Sequence, residues 1–268
     1  MSTERTAEAT EAQIAVHWKE EEYIQPPAKF VAQANLNDRA VVDRFTEERF
    51  PECFNEYADL LTWYERWHTT LDTSKPPFWK WFVGGKLNAS YNCVDRHLAQ
   101  HKNKAALIFV PESEDEPITA ITYQELYARV NEVAAVLRDF CGLKKGDRIT
   151  IHMPMILELP ITMLACARLG VIHSVVFGGF SGEAAGLRAA DSGSRVTIYA
   201  DGYYRNGKLV DHKASADIAV DFARTEGEAV EKVLIWRRHH GQYVSAKPLV
   251  QGRDYFMDDL LTVLLAQH

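Results

Sequence analysis

Two short stretches of this chain carry the residue types that an anion site needs. The first is Val171-Ile172-His173-Ser174-Val175-Val176-Phe177-Gly178-Gly179-Phe180-Ser181, an apolar run that stops at two glycines and a serine. Glycines let a ligand approach the backbone, and a helix capped at Ser181 would turn its free N–H groups toward negative charge. The second is Arg205-Asn206-Gly207-Lys208, two cations within four residues. Together they could hold a phosphate through charge-assisted hydrogen bonds. Each stretch also has a plainer reading: a strand-to-helix turn for the glycines and a solvated loop for the cations. Spacing alone leaves both open.

Other chemistry finds less support. The dinucleotide fingerprint needs G-x-G-x-x-G, which Gly178, Gly179 and Gly182 do not supply, although Asp201 follows about twenty residues on. Asp201 reads as a residue that caps its turn. His97 and His101 have the i, i+4 spacing of a metal pair, but no third ligand is evident and Lys102 and Lys104 follow, so a surface helix is preferred. His239-His240 lies in a polar loop. No P-loop, G-x-S-x-G or H-E-x-x-H pattern occurs. No catalytic residue and no metal ligand is assigned.

The elements that must position these residues follow from periodicity. Residues 106–110 read as a strand, the acidic PESEDEPI at 111–118 as a solvated loop, and 118–122 as a partner run. Thr122 with Glu125 forms a capping box, and Leu126, Val130, Val133, Ala134 and Leu137 share one helical face. Strands are expected at 148–153, 171–177, 196–200 and 232–236, with helices at 158–169, 181–190 and 214–223 between them. Crossovers of that length make neighbouring strands parallel, with helices on both faces. The fold class is α/β, and both candidate stretches then fall at the carboxyl edge of the sheet, where open α/β folds bind ligands. Ahead of it, residues 1–85 read as a helical and irregular segment packing on the main domain at 86–268; Phe45, Phe50, Phe54, Tyr57, Leu60, Leu61 and Tyr64 fall near helical spacing there.

Composition narrows the class of function. With 30 basic and 37 acidic residues the net charge is −7, which argues against nucleic acid as a partner while leaving room for a local basic patch. Cys53, Cys93, Cys141 and Cys166 are scattered without C-x-x-C spacing, so neither zinc nor a disulfide framework is indicated and a reducing compartment fits. No apolar run approaches the length of a membrane span, and the first twenty residues lack a signal-peptide core. A soluble cytoplasmic protein is expected.

Beyond these readings, four runs resemble one family in detail: GGKLNASYNCVDRH at 84–97, MPMILELP at 153–160, MLACARLG at 163–170 and FGGFS at 177–181. From about residue 40 to 260 the chain is similar to the N-terminal part of acetyl-coenzyme A synthetases, AMP-forming ligases of the adenylate-forming superfamily. The resemblance implies that a carboxylate, here acetate, attacks the α-phosphate of ATP to release pyrophosphate, and that the thiol of coenzyme A then displaces AMP. ATP and coenzyme A are the co-substrates it implies, with Mg2+ in the full-length enzyme; none is expected to be held fully by this chain. By matching position, Phe177, Gly178, Gly179, Arg205 and Lys208 would hold the nucleotide end of coenzyme A, the cations near its 3′-phosphate, and Arg188 matches a family arginine on the following helix.

Departures from the family pattern set further expectations. Asn206 and Lys208 replace the more usual small residue and arginine. The family's phosphate loop, ribose-binding aspartate, carboxylate pocket and catalytic lysine all fall in sequence that follows the region matched here. The chain is accordingly expected to be an N-terminal piece or a shortened gene product, inactive alone and prone to self-association through surface that later sequence would cover. A naturally short, non-catalytic relative that binds a nucleotide or a full-length ligase is the alternative.

Overall fold

In the computed structural model, residues 24–35, 38–239 and 242–266 are described. Two compact units emerge: the described residues up to Leu60 with His68–Val83, and Leu61–Trp67 with the chain from Gly84 onward. Among the described residues no helix is long and apolar enough to cross a membrane.

In the first unit the expected aromatic helix does not form. Short helices α1 (Ala28–Gln33), α2 (Arg39–Val42) and α3 (Asn55–Ala58) alternate with 3-10 turns at Glu47–Arg49 and Glu52–Phe54. Pro51 offers no N–H to a helical ladder, so the run cannot continue through it. The aromatic residues pack edge to face instead of along a stripe: Phe45 meets Phe54 at 5.6 Å between ring centres, and Phe54 meets Trp81 at 5.3 Å. Trp81 lies on β2 (Lys80–Val83), antiparallel to β1 (Thr69–Asp72).

The second unit begins with α4 (Ala89–Cys93) and α5 (Leu98–His101), then an antiparallel pair, β3 (Ala105–Phe109) and β4 (Thr119–Thr122). Helix α6 (Tyr123–Ala135) opens on the expected capping box, in which the Glu125 amide donates to the Thr122 hydroxyl and the Thr122 amide to the Glu125 carboxylate. A five-stranded parallel sheet follows, built from β5 (Arg148–Met153), β6 (Ile172–Phe177), β7 (Val196–Ala200), β10 (Lys232–Trp236) and β11 (Asp254–Phe256), in the order β11-β10-β7-β5-β6. Between β7 and β10 lies a hairpin, β8 (Gly202–Arg205) with β9 (Lys208–Asp211), where the plainer reading of the two cations was a solvated loop.

The two faces of the sheet follow from the two-residue period of strands. Ile149, Ile151, Met153, Val196, Ile198, Leu234 and Trp236 point to one face and pack with α6, α7 (Glu158–Leu169) and α10 (Met257–Leu265). Val176, Tyr199, Val233 and Ile235 point to the other, under α8 (Gly182–Ser192) and α9 (His212–Thr225). Covering both faces explains why the central strands read as nearly unbroken apolar runs. From β5 the chain crosses through α7 to β6, at one edge, whereas from β7 it passes through α9 to β10, toward the other. Adjacent strands that send the chain in opposite directions leave a crevice at their carboxyl ends.

Candidate functional site

At that crevice lies a cleft of about 370 Å³. Its floor comes from the residues just past β5 and β6, Pro154 to Ile156 and Phe177 to Gly179, and its walls from Tyr203, Tyr204 and Arg205 of β8, from Arg238, and from Phe109, Glu112 and Glu116.

The glycine pair is dictated by close approach. A Cβ on Gly178 would lie 3.0 Å from the Met153 carbonyl oxygen and the Pro154 nitrogen, so two strand ends touch there. A Cβ on Gly179 would lie 2.5 Å from an Arg205 guanidinium nitrogen and 2.7 Å from the Phe177 ring. Arg205 therefore rests on the bare backbone of Gly179, and any side chain there would displace it. The turn is closed by the Phe180 amide donating to the Phe177 carbonyl at 2.9 Å and is pinned from the side by the Tyr203 hydroxyl, which donates to the Gly178 carbonyl at 2.9 Å. Ser181 caps α8, its hydroxyl accepting from the Ala184 amide at 3.2 Å.

The second candidate stretch is the tip of the β8–β9 hairpin. Asn206 and Gly207 both have left-handed φ, 52° and 69°, as a two-residue Asn-Gly turn requires, and Arg205 and Lys208 face each other across it. Among the described residues neither Arg205 nor Lys208 has an ion-pair partner. The structure thus brings Phe177, Gly178, Gly179 and Arg205 into one cleft, with Lys208 one cross-strand step beyond its lining. Arg188 is not among the lining residues. Its guanidinium donates to the Ala184 carbonyl at 2.9 Å and lies 5.0 Å from the centre of the Phe180 ring.

The acidic segment at 111–118 is not simply solvated. Glu112 accepts from the Gly207 amide at 2.8 Å, and Glu116 pairs with Arg238 at 2.5 Å. Arg238 in turn sits 5.4 Å from the Phe109 ring centre, and its amide donates to the buried Asp201 carboxylate at 2.8 Å. Asp201 also accepts from the Val244 amide at 3.0 Å, so its carboxylate holds the backbone that follows β10, 37 and 43 residues away, and does not cap its own turn.

Beneath the glycine turn lies a buried polar cluster with no counterpart in the sequence reading. The His152 and His212 rings stand with their Nε2 atoms 3.4 Å apart, and Tyr199 and Tyr203 pack around them. Loss of water pushes the His152 pKa down to about 4 and lowers that of His212 as well, the nearby His152 adding to the latter shift. Both rings are neutral at physiological pH. As for metals, His97 bonds through Nε2 to the Asn92 carbonyl at 3.0 Å, and among the described residues no group of three or more His, Cys, Asp or Glu side chains is placed to hold a metal ion. His240 lies outside the described residues.

An open parallel sheet with a glycine-lined, cation-bearing cleft at its switch point is the architecture of doubly wound α/β domains, which take ligands at that edge. Comparison with known proteins makes the class specific. Residues 94–248 match the family described as AMP-binding enzyme, and residues 41–93 match acetyl-coenzyme A synthetase N-terminus. The chain belongs to the AMP-binding enzyme family. It is 45% identical over 218 residues to an acetyl-coenzyme A synthetase of Methanothrix soehngenii, covering 81% of this chain and 31% of that protein. It is 43% identical over 255 residues to an acetyl-coenzyme A synthetase of Streptomyces avermitilis, 93% of this chain and 36% of the relative. A 3-hydroxypropionyl-coenzyme A synthetase of Sulfurisphaera tokodaii is 47% identical over 202 residues, 75% of this chain and 30% of the relative. The chain thus spans about a third of the length of these curated relatives.

Proposed function

We propose that this chain is the N-terminal part of a cytoplasmic AMP-forming acetyl-coenzyme A synthetase, and that its cleft receives the nucleotide end of coenzyme A. The observation that supports this most is the placement of the Arg205 guanidinium on the bare backbone of Gly179, with Lys208 opposite and both cations unpaired among the described residues. A phosphate at this hairpin would gain two charge-assisted contacts in a cleft whose floor, Phe177 and Met155 to Ile156, is apolar enough to accept an adenine ring. Phe177, Gly178 and Gly179 would form the surface for the base, and Arg205 with Lys208 would meet the 3′-phosphate. Arg188 would act indirectly, by holding Phe180 beside the turn.

Calorimetric titration of this chain with coenzyme A and with 3′-dephospho-coenzyme A tests the assignment. The parent is expected to favour coenzyme A, and Arg205→Ala to lose about 1–3 kcal/mol, or roughly 5- to 150-fold, of affinity for it while approaching the parent's affinity for the dephospho compound. A variant that keeps the parent's preference for the 3′-phosphate would refute the role of Arg205.

The adenylation half of the reaction calls for groups that this cleft does not offer. Two cations at one hairpin suit a bound phosphate monoester, but a transferring phosphoryl group builds charge that must be neutralised on several oxygens at once. ATP, acetate and Mg2+ are therefore assigned to the longer enzyme, and the 268-residue chain is expected to form no acyl-adenylate. Acetate-dependent exchange of labelled pyrophosphate into ATP, above a boiled control, is the result that would overturn this.

A further inference from the structure

We propose that Glu112 is a resident counter-anion of the phosphate subsite, a carboxylate that an incoming phosphate must displace. The inference rests on the coenzyme A reading of the cleft and concerns how selective that subsite is.

The Gly207 amide is the backbone donor at the tip of the basic hairpin, between Arg205 and Lys208, and it is already engaged, donating to the Glu112 carboxylate at 2.8 Å across 95 residues of sequence. Glu112 thus stands where an anion gains most, yet among the described residues it forms no ion pair with either cation. The hairpin keeps its positive charge while its N–H is occupied. A phosphate monoester, with close to two negative charges at neutral pH and three acceptor oxygens, can take the N–H and both cations together, which a single carboxylate does not do. The exchange is feasible because the two ends of the acidic segment are held differently. Glu116 is fixed by Arg238, which is itself anchored through Asp201, whereas Glu112 is exposed and the Gly207 bond is its tie to the hairpin. Glu112 can leave without Glu116 following.

The consequence falls on phosphorylated ligands alone. A ligand with a 3′-phosphate binds against the cost of expelling Glu112, and one without it leaves Glu112 in place. Glu112 therefore holds affinity for the phosphorylated ligand below what the two cations would give, which favours its release after reaction.

Glu112→Ala and Glu112→Gln, titrated calorimetrically beside the parent with coenzyme A and 3′-dephospho-coenzyme A at low salt, provide the test. Both variants are expected to bind coenzyme A roughly 3- to 10-fold more tightly, the size of one hydrogen bond exchanged, and to bind the dephospho compound as the parent does. If the variants bind both compounds more weakly by the same factor, or leave the ratio between them unchanged, Glu112 only braces the hairpin and the proposal fails. If the parent itself does not distinguish the two compounds, the phosphate subsite is wrong and this inference falls with it.

Discussion

Two neutral histidines lie directly under the turn on which the proposed site depends. His212 packs against the Tyr203 ring at 5.3 Å, and the Tyr203 hydroxyl holds the Gly178 carbonyl, so the turn rests on rings that must stay uncharged. The folded state lowers both pKa values below the ordinary histidine value of about 6.5. An unfolded chain then binds more protons than the folded one as pH falls through 6.5 toward 4. Stability is full above that window and is lost as pH descends through it, by roughly 3 kcal/mol for a His152 pKa of about 4. His173, half-buried and shifted in the same direction, adds to the trend, while the lowered carboxyl of Asp254 titrates below it. Urea midpoints at pH 7.5 and 5.5 should therefore fall steeply for the parent and less for His212→Phe. Equal slopes for the two proteins would show that the pair is not the source. None of this was visible in sequence, because a histidine on a strand and another at a helix start, 60 residues apart, carry no local mark. Arg205 and the glycines were legible because each makes its pattern within a few residues. Glu112 and Arg238 were not, since their partners lie 95 and 122 residues away.

Among elements, legibility tracked how completely each one is buried and how regular its period is. Strand β7 is buried at all five positions, and β5 at all but Arg148, so short runs rich in apolar and β-branched residues announced them. The capping box of α6 was readable for a different reason: its two bonds join residues three apart, so sequence spacing and geometry coincide. The β8–β9 hairpin was missed although Asn206-Gly207 is its turn signal. Its strands have only four residues each, Gly202–Arg205 and Lys208–Asp211, too few to show alternation. The first unit misled because aromatic spacing near 3.6 residues came from a cluster of ring edges, with Phe50, Phe54 and Tyr57 left substantially exposed, and not from the buried stripe of a helix. Strand β11, three residues long and followed at once by α10, gave no periodic signal.

At the scale of the molecule, the open side of the sheet is the feature with the largest consequence. Strand β6 pairs with β5 along its length and is the last strand on its side. Its sequence, Ile172-His173-Ser174-Val175-Val176-Phe177, has no proline or charged side chain and no bulge, the devices that keep edge strands from pairing with other chains. Ile172 and Val175, neither of which lines the cleft, are 58% and 44% exposed. The opposite edge differs, since β11 offers only three residues. We therefore expect two copies of this chain to join β6 to β6, antiparallel about a two-fold axis, which would satisfy the free backbone groups of both edges and cover the exposed apolar side chains. Sedimentation across a tenfold concentration range should show a mass rising from one copy toward two. Val175→Lys places a charge on the edge and should return the protein to a single copy without altering its affinity for coenzyme A at the far side of the glycine turn. A parent that stays monomeric over the whole range and takes up no hydrophobic dye would mean that the edge is protected in solution and that the pairing does not occur.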